Sequence, residues 1–293
     1  RRNQQDEDAV SRIDENKEKR NKGDFCLWKF SKPGEPFWES TLGKGRPGWH
    51  IEDTAITEKE FGSQYDIHGG AVDLIFPHHE AEIAQMESIS GRKPFVNYWL
   101  HTAFLTIEQE KMSKSLKNVV TIREALKKYD GKVLRYFFLS HHYRTPINFS
   151  YESLEQSRHG LERLHDFLRS LKNNTVKDNI QLIKKTKKKF IEAMNDDFDT
   201  PRALASLFDF VRDVNKWGGG KKSYNLLMEF DRVFNVFSFE DIIPPHIQKL
   251  ALEREKARKE KRWKDADHLR DQIIKAGYLI EDSPSAPRIK KVL

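Results

Sequence analysis

Two short stretches hold side chains whose types and spacing can do chemistry. In "FPHHEAEIAQ", Phe76 to Gln85, His78 and Glu82 stand four apart, so a helix would put both on one face. An imidazole and a carboxylate on one face suit a divalent metal, a nucleic-acid contact or a wet helix end, and the spacing alone leaves all three open. In "KMSKS", at 111–115, Lys111 and Lys114 flank small hydroxyl residues after an apolar strand. Lysines on a mobile loop suit the phosphates of ATP, where negative charge develops on leaving pyrophosphate. The bland alternative is a solvated basic turn.

Elements must position these groups. "YDIHGGAVDLIF" reads as a strand, a glycine turn and a short apolar segment. From Pro77 the pattern becomes helical, with Ile83, Ala84 and Met86 on one side and Pro77 in the first turn. "FVNYWLHTAFLTI" is aromatic and β-branched and predicts a buried strand. "TIREALKKY" predicts a helix capped by Thr121. Residues 25–60 read as loop-rich, with Pro and Gly at turn positions.

After about residue 150 the texture changes. Leu154, Leu161, Leu164 and Leu168 recur at helical spacing. A further helix, a capped break near Asp199–Pro201 and two more helices follow, which predicts a bundle. The segment from about Pro244 reads as one charged helix and a polar end. Within it, 251–264 carries seven basic and three acidic residues, so +4. Trp263, Ala266, Leu269 and Ile273 are expected to pack inward, with Lys256, Lys259, Lys261 and Arg262 outward. Such a face can neutralise phosphates, although a solvated charged helix would look the same. The lysine run 184–189 is a weaker candidate. The layout is an α/β half followed by an α-helical half, and in α/β sheets ligands sit beyond the carboxyl ends of the strands.

The whole chain carries a net charge of +7, which favours a polyanionic partner. Its one cysteine, Cys26, excludes an internal disulfide and points to a reducing compartment. No apolar run approaches the roughly 18 residues of a membrane span. The expectation is a cytoplasmic protein with no membrane partner.

Taken together, "KMSKSLKN" resembles the signature loop of class I aminoacyl-tRNA synthetases. "DFCLWK", "GKGRPGWHIE", "DIHGGAVDLIFPHHEAEIAQ", "VNYWLHTAFLTI" and "RYFFLSHHYRTPINFS" resemble the cysteinyl-tRNA synthetase family in unbroken order, and the similarity continues through "AMNDDFDTPRAL" to "ALEREKARKEKRWKDADHLRDQI". The resemblance implies an α/β fold, the second half of a class I Rossmann-like domain, followed by an α-helical bundle that binds tRNA. Its domains would be 1–24, the edge of an inserted acceptor-end domain; 25–150, the C-terminal half of the catalytic domain; 151–243, the anticodon-binding bundle; and 244–293, a basic helix and tail.

The resemblance also assigns roles. His78 and Glu82 match family zinc ligands, and the Zn2+ binds the substrate thiolate. Asp53 stands where the family has a cysteine ligand, and the other family cysteine belongs to a region this chain does not contain. Aspartate can ligate zinc as a harder donor. Cys26 matches neither family cysteine, and its place in "DFCLWK" predicts a core position. Trp49 and Asp73 match positions that line the cysteine pocket and hold its amino group. His68, Gly69 and Gly70 match an ATP-side loop, with Ala71 in place of its third glycine. Lys111 and Lys114 would act on ATP, with Mg2+.

A His-x-Gly-His motif, which class I synthetases need, is missing, so the resemblance implies an N-terminally truncated chain: a fragment, or one piece of an enzyme whose N-terminal half is separate. The function implied is cysteine–tRNA ligation, with tRNA-Cys, ATP and cysteine as partners, and with the chain inactive alone. Two other readings stand beside it. One is a non-catalytic tRNA-binding paralogue, motivated by Asp53 and the missing motif. The other is a cysteine ligase acting on a small amine, which the basic C-terminal portion disfavours.

Overall fold

The computed structural model describes residues 17, 19–21, 23–107, 110–111, 119–172, 174–237, 244–281 and 288–291. Lys114 lies outside them, and of Lys111 only the backbone is described. The chain divides into two compact units, Arg1–Thr106 with Tyr143–Ile147, and Ile107–His142 with Asn148–Leu293.

The first unit opens with an antiparallel ribbon, β1 (Trp28–Phe30) and β2 (Gly45–Pro47), in which Trp28 pairs with Pro47. Cys26, expected in a core, is exposed beside this ribbon, and its thiol donates to the Trp28 carbonyl at 3.2 Å. Two three-residue strands have too little body to bury it. Helix α1 (Ile51–Phe61) follows, where loop was expected. His50 is its N-cap residue and caps it with no side-chain hydrogen bond.

Strand β3 (Tyr65–Ala71) runs parallel to β4 (Val96–Thr102), with His68 opposite Trp99 and Gly70 opposite His101. Parallel strands need a crossover. Here it is a tight turn at Val72–Leu74, a wide turn at Ile75–His79 and helix α2 (Glu80–Ser90). Gly69 and Gly70 therefore lie in the strand, and the turn starts only at Val72. Pro77 lies in the wide turn before α2. The helix buries Ala81, Glu82, Gln85 and Met86 and leaves Ala84 exposed, because the 3.6-residue period puts 84 opposite that face. Met86 forms a small core with Phe95 and Val96, against Tyr65, Ile83 and Trp99. Strand β4 is less buried than expected: its Tyr98, paired with Ile67, is exposed. The face carrying His68, Gly70, Trp99 and His101 meets the crossover turn and α2, while Ile67 and Tyr98 point the other way. Strands β5 (Leu105–Ile107) and β6 (Glu110–Lys111) come next.

The second unit is mostly helical. Helix α3 (Ile122–Ala125) starts with the expected Thr121 cap, and Glu124 completes a capping box. Helix α4 (Gly131–Leu139) is capped by Asp130. After β7 (Ile147–Phe149), α5 (Tyr151–Lys172) buries Leu154, Leu161, Leu164 and Leu168, as their spacing predicts. Helices α6 (Ile180–Asn195), α7 (Thr200–Trp217) and α8 (Lys221–Phe234) complete the bundle. The Phe190 and Phe230 rings stack 4.0 Å apart between α6 and α8. Asp199 caps α7, with Pro201 in its first turn.

The C-terminal segment holds two helices, α9 (Pro245–Lys259) and α10 (Trp263–Lys275), and a hairpin of β8 (Tyr278–Glu281) and β9 (Arg288–Lys291), where one helix and a polar end were expected. The break falls at Lys261, whose φ is 59 degrees. Ile247, Ala251, Ile273 and Ile280 form its core. Ala266 packs inward as expected, but Trp263 is 58% exposed, because as the first residue of α10 it lies ahead of the buried stripe. Lys256, Lys259, Lys261 and Arg262 are exposed as expected. Among the described residues no helix is long and apolar enough to cross a membrane.

Candidate functional site

The crossover between β3 and β4 gathers a buried histidine–carboxylate group inside the first unit. Three local causes place it. The N-terminal end of α1 supplies His50 and, one turn on, Asp53. The wide turn supplies His78 and His79, and the first turn of α2 supplies Glu82. Strand alternation aims His68 and His101 at the same place.

Glu82 is at the centre. It is 8% exposed. Its Oε1 lies 3.4 Å from Nδ1 of His50, and its Oε2 lies 3.5 Å from Nε2 of His68. Nδ1 of His50 is also 3.3 Å from Oδ2 of Asp53, yet this buried nitrogen has no hydrogen-bond partner. Nε2 of His50 shares a hydrogen bond of 2.9 Å with Nδ1 of His78. Nδ1 of His79 shares one of 2.9 Å with Nε2 of His101, and Nδ1 of His68 is bonded to the Tyr65 hydroxyl.

The electrostatics follow from burial. Burial, helped by the Asp53 charge, lifts the Glu82 carboxyl to about 7. Burial, with the facing histidines, drops His79 to about 4. His50, His68 and His101 are each lowered, first by burial. His78 adds to the effect on His50, while Asp53 opposes it. Burial lifts Tyr65 to about 12. Burial thus disfavours charge on His50, His68, His79 and His101 and on the Glu82 carboxylate, a balance that a cation could shift by displacing a proton.

Two triads present one donor atom per residue, all within 4.8 Å of one another: His50, Asp53 and Glu82; and His68, His79 and Glu82. Two donors bonded at 2.0–2.1 Å to a tetrahedral ion stand about 3.4 Å apart. The 3.3 and 3.4 Å separations around the orphaned Nδ1 of His50 fit that spacing, so the nitrogen and oxygen donors present suit a divalent ion such as Zn2+.

Of the residues singled out from sequence, Asp53, His68 and Glu82 offer ligand atoms to the two triads, while His78 belongs to neither and meets the site through its bond to His50, with Trp49 alongside. The Trp49 ring stacks on His50 at 5.5 Å and tilts over His78 at 4.9 Å, while 69% of the residue stays exposed. Asp73 sits half-buried in the Val72–Leu74 turn. Gly70 has a clear reason to be glycine: a Cβ there would lie 2.7 Å from Cε1 of His79. His50, His79 and His101 were missed. His50 had a signal, since it lies three residues before Asp53, one helical turn away. His101 had one too, two residues after Trp99 on the same strand face.

Comparison with known proteins gives this geometry a family. Residues 1–159 match the model of the tRNA synthetases class I (C) catalytic domain. Residues 189–238 match the DALR domain, and 241–286 the cysteinyl-tRNA ligase anticodon binding domain. The chain is 43% identical over 305 residues to the cysteine–tRNA ligase of Carboxydothermus hydrogenoformans, covering 97% of this chain and 65% of that protein. It is 42% identical over 322 residues to that of Geobacter metallireducens, covering 97% and 66%, and 44% identical over 297 residues to that of Coxiella burnetii, covering 94% and 62%. It thus spans just under two thirds of the length of these relatives. Among solved structures, the ternary complex of Agrobacterium radiobacter K84 agnB2 LeuRS with tRNA and LeuAMS shares the fold at a TM-score of 0.50 and 14% identity, covering 69% of this chain and 32% of that one. With the catalytic-domain match spanning more than half its residues, the chain belongs to the class I (C) tRNA synthetases, the cysteinyl branch.

Proposed function

We propose that this chain is the part of a cysteine–tRNA ligase that carries the KMSKS lysines, the buried histidine–carboxylate site and the tRNA-binding end. The observation that carries the reading is identity of 40–44% to cysteine–tRNA ligases over at least 94% of the chain. The reaction has two steps. The cysteine carboxylate attacks the α-phosphate of ATP, giving cysteinyl-adenylate and pyrophosphate. The terminal hydroxyl of tRNA-Cys then takes the acyl group and AMP leaves.

Lys111 and Lys114 hold the phosphates of Mg2+-ATP while charge gathers on the pyrophosphate. His68, Gly69 and Gly70 form the ATP side, where an absent Cβ lets backbone approach the nucleotide. Asp73 pairs with the cysteine ammonium and Trp49 walls the pocket. His78, Glu82 and Asp53, with His50, are the residues that would hold Zn2+. When bound, such an ion would offer an open position to the substrate thiolate, which would set cysteine apart from serine. The limits 1–24, 25–150, 151–243 and 244–293 divide these tasks, and the remaining third of the relatives' length, in the same polypeptide or a separate one, supplies the rest of the ATP site. The reaction takes place in the cytoplasm.

The test joins this chain, as a fusion or in trans, to the matching N-terminal stretch of the Carboxydothermus hydrogenoformans ligase and follows ATP–pyrophosphate exchange. Exchange that needs cysteine and ignores serine is expected, with loss in Lys114→Ala. No exchange, with tRNA binding retained, would leave a non-catalytic tRNA binder in its place.

A further inference from the structure

One end of the helical bundle, where α5 and α7 close and α8 begins, gathers positive charge that nothing there balances. Two stretches meet at it, 172–178 and 216–222. The Asp178 carboxylate accepts from the amides of Gly220, Lys222 and Ser223, and a Cβ on Gly218 would lie 2.5 Å from Cγ1 of Val176. The two stretches hold five lysines and one aspartate, so +4, and Lys172, Lys177, Lys216, Lys221 and Lys222 are all exposed. The aspartate is Asp178, whose charge already meets four donors, the fourth being the Ser223 hydroxyl.

Among the described residues none of these five lysines pairs with a carboxylate. The lysines further along α6 do: Lys187 with Glu229 at 2.6 Å, Lys188 with Glu192 and Lys189 with Asp209, both at 3.7 Å. Lys221 and Lys222 also stand where helix electrostatics disfavour them. They open α8, whose first turn has no acid and whose dipole is positive at that end.

Trp217 lies among the lysines as the last residue of α7, and it is 65% exposed. Nζ of Lys216 sits 4.8 Å from its ring centroid, and the exposed Val176 lies against the next residue, Gly218. A large flat ring left out of the core and rimmed by cations has the chemistry of a nucleic-acid surface. Lysines neutralise phosphates, and the ring can stack on an unpaired base. An acidic peptide would match the lysines and leave the indole without a use.

We propose that this end of the bundle is an RNA-binding surface, a second contact with tRNA besides the α9–α10 break. Lys172, Lys177, Lys221 and Lys222 hold backbone phosphates, and Trp217 stacks on one unpaired nucleotide. The contact reads no sequence, because phosphate contacts fix position and an aromatic ring accepts any base. The inference rests on the tRNA-binding reading of this chain and adds to it where the RNA lies.

The test follows binding of a tRNA-Cys transcript to the full chain by filter binding across a salt series, with circular dichroism confirming the fold of each variant. Lys177→Gln with Lys221→Gln should flatten the slope of log affinity against log salt by about two units. Trp217→Ala should weaken binding about tenfold at every salt concentration and leave the slope as it was, and Trp217→Phe should restore most of the loss. General damage to the fold would not separate slope from affinity in this way. The parent's slope in the lysine variant, or the parent's affinity in Trp217→Ala, overturns the surface. Weakened binding of poly-glutamate with tRNA binding unchanged also overturns it and gives the patch to an acidic protein. If Lys256→Gln with Lys261→Gln flattens the slope and the bundle-end variants do not, the tRNA reading stands without this surface. If the unaltered chain binds no tRNA, both fall.

Discussion

Oε1 of Glu82 lies 3.4 Å from Nδ1 of His50, and that nitrogen is buried without a hydrogen bond. An unpartnered buried imidazole nitrogen costs about 1–3 kcal/mol, a cost that a cation held between the two carboxylates would remove. Asp53 supplies the second of those carboxylates, at 3.3 Å. A thiolate there is the softer donor and binds zinc more tightly. Asp53→Cys should therefore raise zinc affinity about tenfold or more. Titration against a chromophoric chelator measures this, and unchanged affinity would remove Asp53 from the ion's shell.

Gly70 and His79 make a second prediction. A Cβ on residue 70 would lie 2.7 Å from Cε1 and 2.9 Å from Nε2 of His79, and 3.2 Å from Cδ1 of Leu74. His79 is held by Trp99 and His101 and has little room to retreat. Overpacking of this kind costs about 1–3 kcal/mol. Gly70→Ala should lower the melting temperature of the first unit, while Gly69→Ala, whose Cβ would meet only the Leu100 carbonyl at 3.8 Å, should not. Equal melting of both variants would refute the wedge.

Asp178 predicts a pH effect. Gly220, at the N-cap of α8, has no side chain to satisfy the first amides. Asp178 does so from across the bundle, accepting from the amides of Gly220, Lys222 and Ser223 and from the Ser223 hydroxyl, at 2.7–3.0 Å. Partial burial works against its charge, but these donors prevail and hold its carboxyl below the usual carboxylate value. A group depressed in this way stabilises the fold above its unfolded value near 3.9, and loses that contribution as pH falls through the folded one. Asp178→Ala should cost about 1–2 kcal/mol at pH 7, and the difference from the parent should shrink as pH drops below about 4. A difference that stays constant down to pH 3 would count against the carboxylate.

The sequence made the bundle legible because strong apolar periods and side-chain caps spell it out: Leu154, Leu161, Leu164 and Leu168 are all buried, and Asp199 caps where it was expected. It hid α1, whose N-cap makes no side-chain hydrogen bond and whose apolar Ile56 is exposed. The Gly-Gly pair read as a turn because glycine permits one. Gly70 leaves room for the His79 imidazole, which only a fold can show. At the site, His78 and Glu82 could be paired by helical spacing. The links of Glu82 to His50 and His68 depend on strand register and on a crossover that no local pattern encodes.

The exposed basic residues around the α9–α10 break give the last prediction. Lys259 pairs with Glu255 at 3.7 Å, and Arg262 with Glu260 and Asp265, so part of the positive charge is balanced locally. Lys256 and Lys261 are exposed beside them and are the better phosphate contacts. If this surface meets tRNA, binding must release counterions, and affinity falls steeply with salt. Each lysine lost should reduce the slope of log affinity against log salt by about one unit and weaken binding to all tRNA sequences alike. Lys256→Gln and Lys261→Gln together should flatten the slope by about two units, measured by filter binding across a salt series. Glutamine is unbranched at Cβ, which matters at Lys261, where φ is 59 degrees and a β-branched residue would be strained. A slope the same as the parent's would place the phosphates elsewhere on the protein.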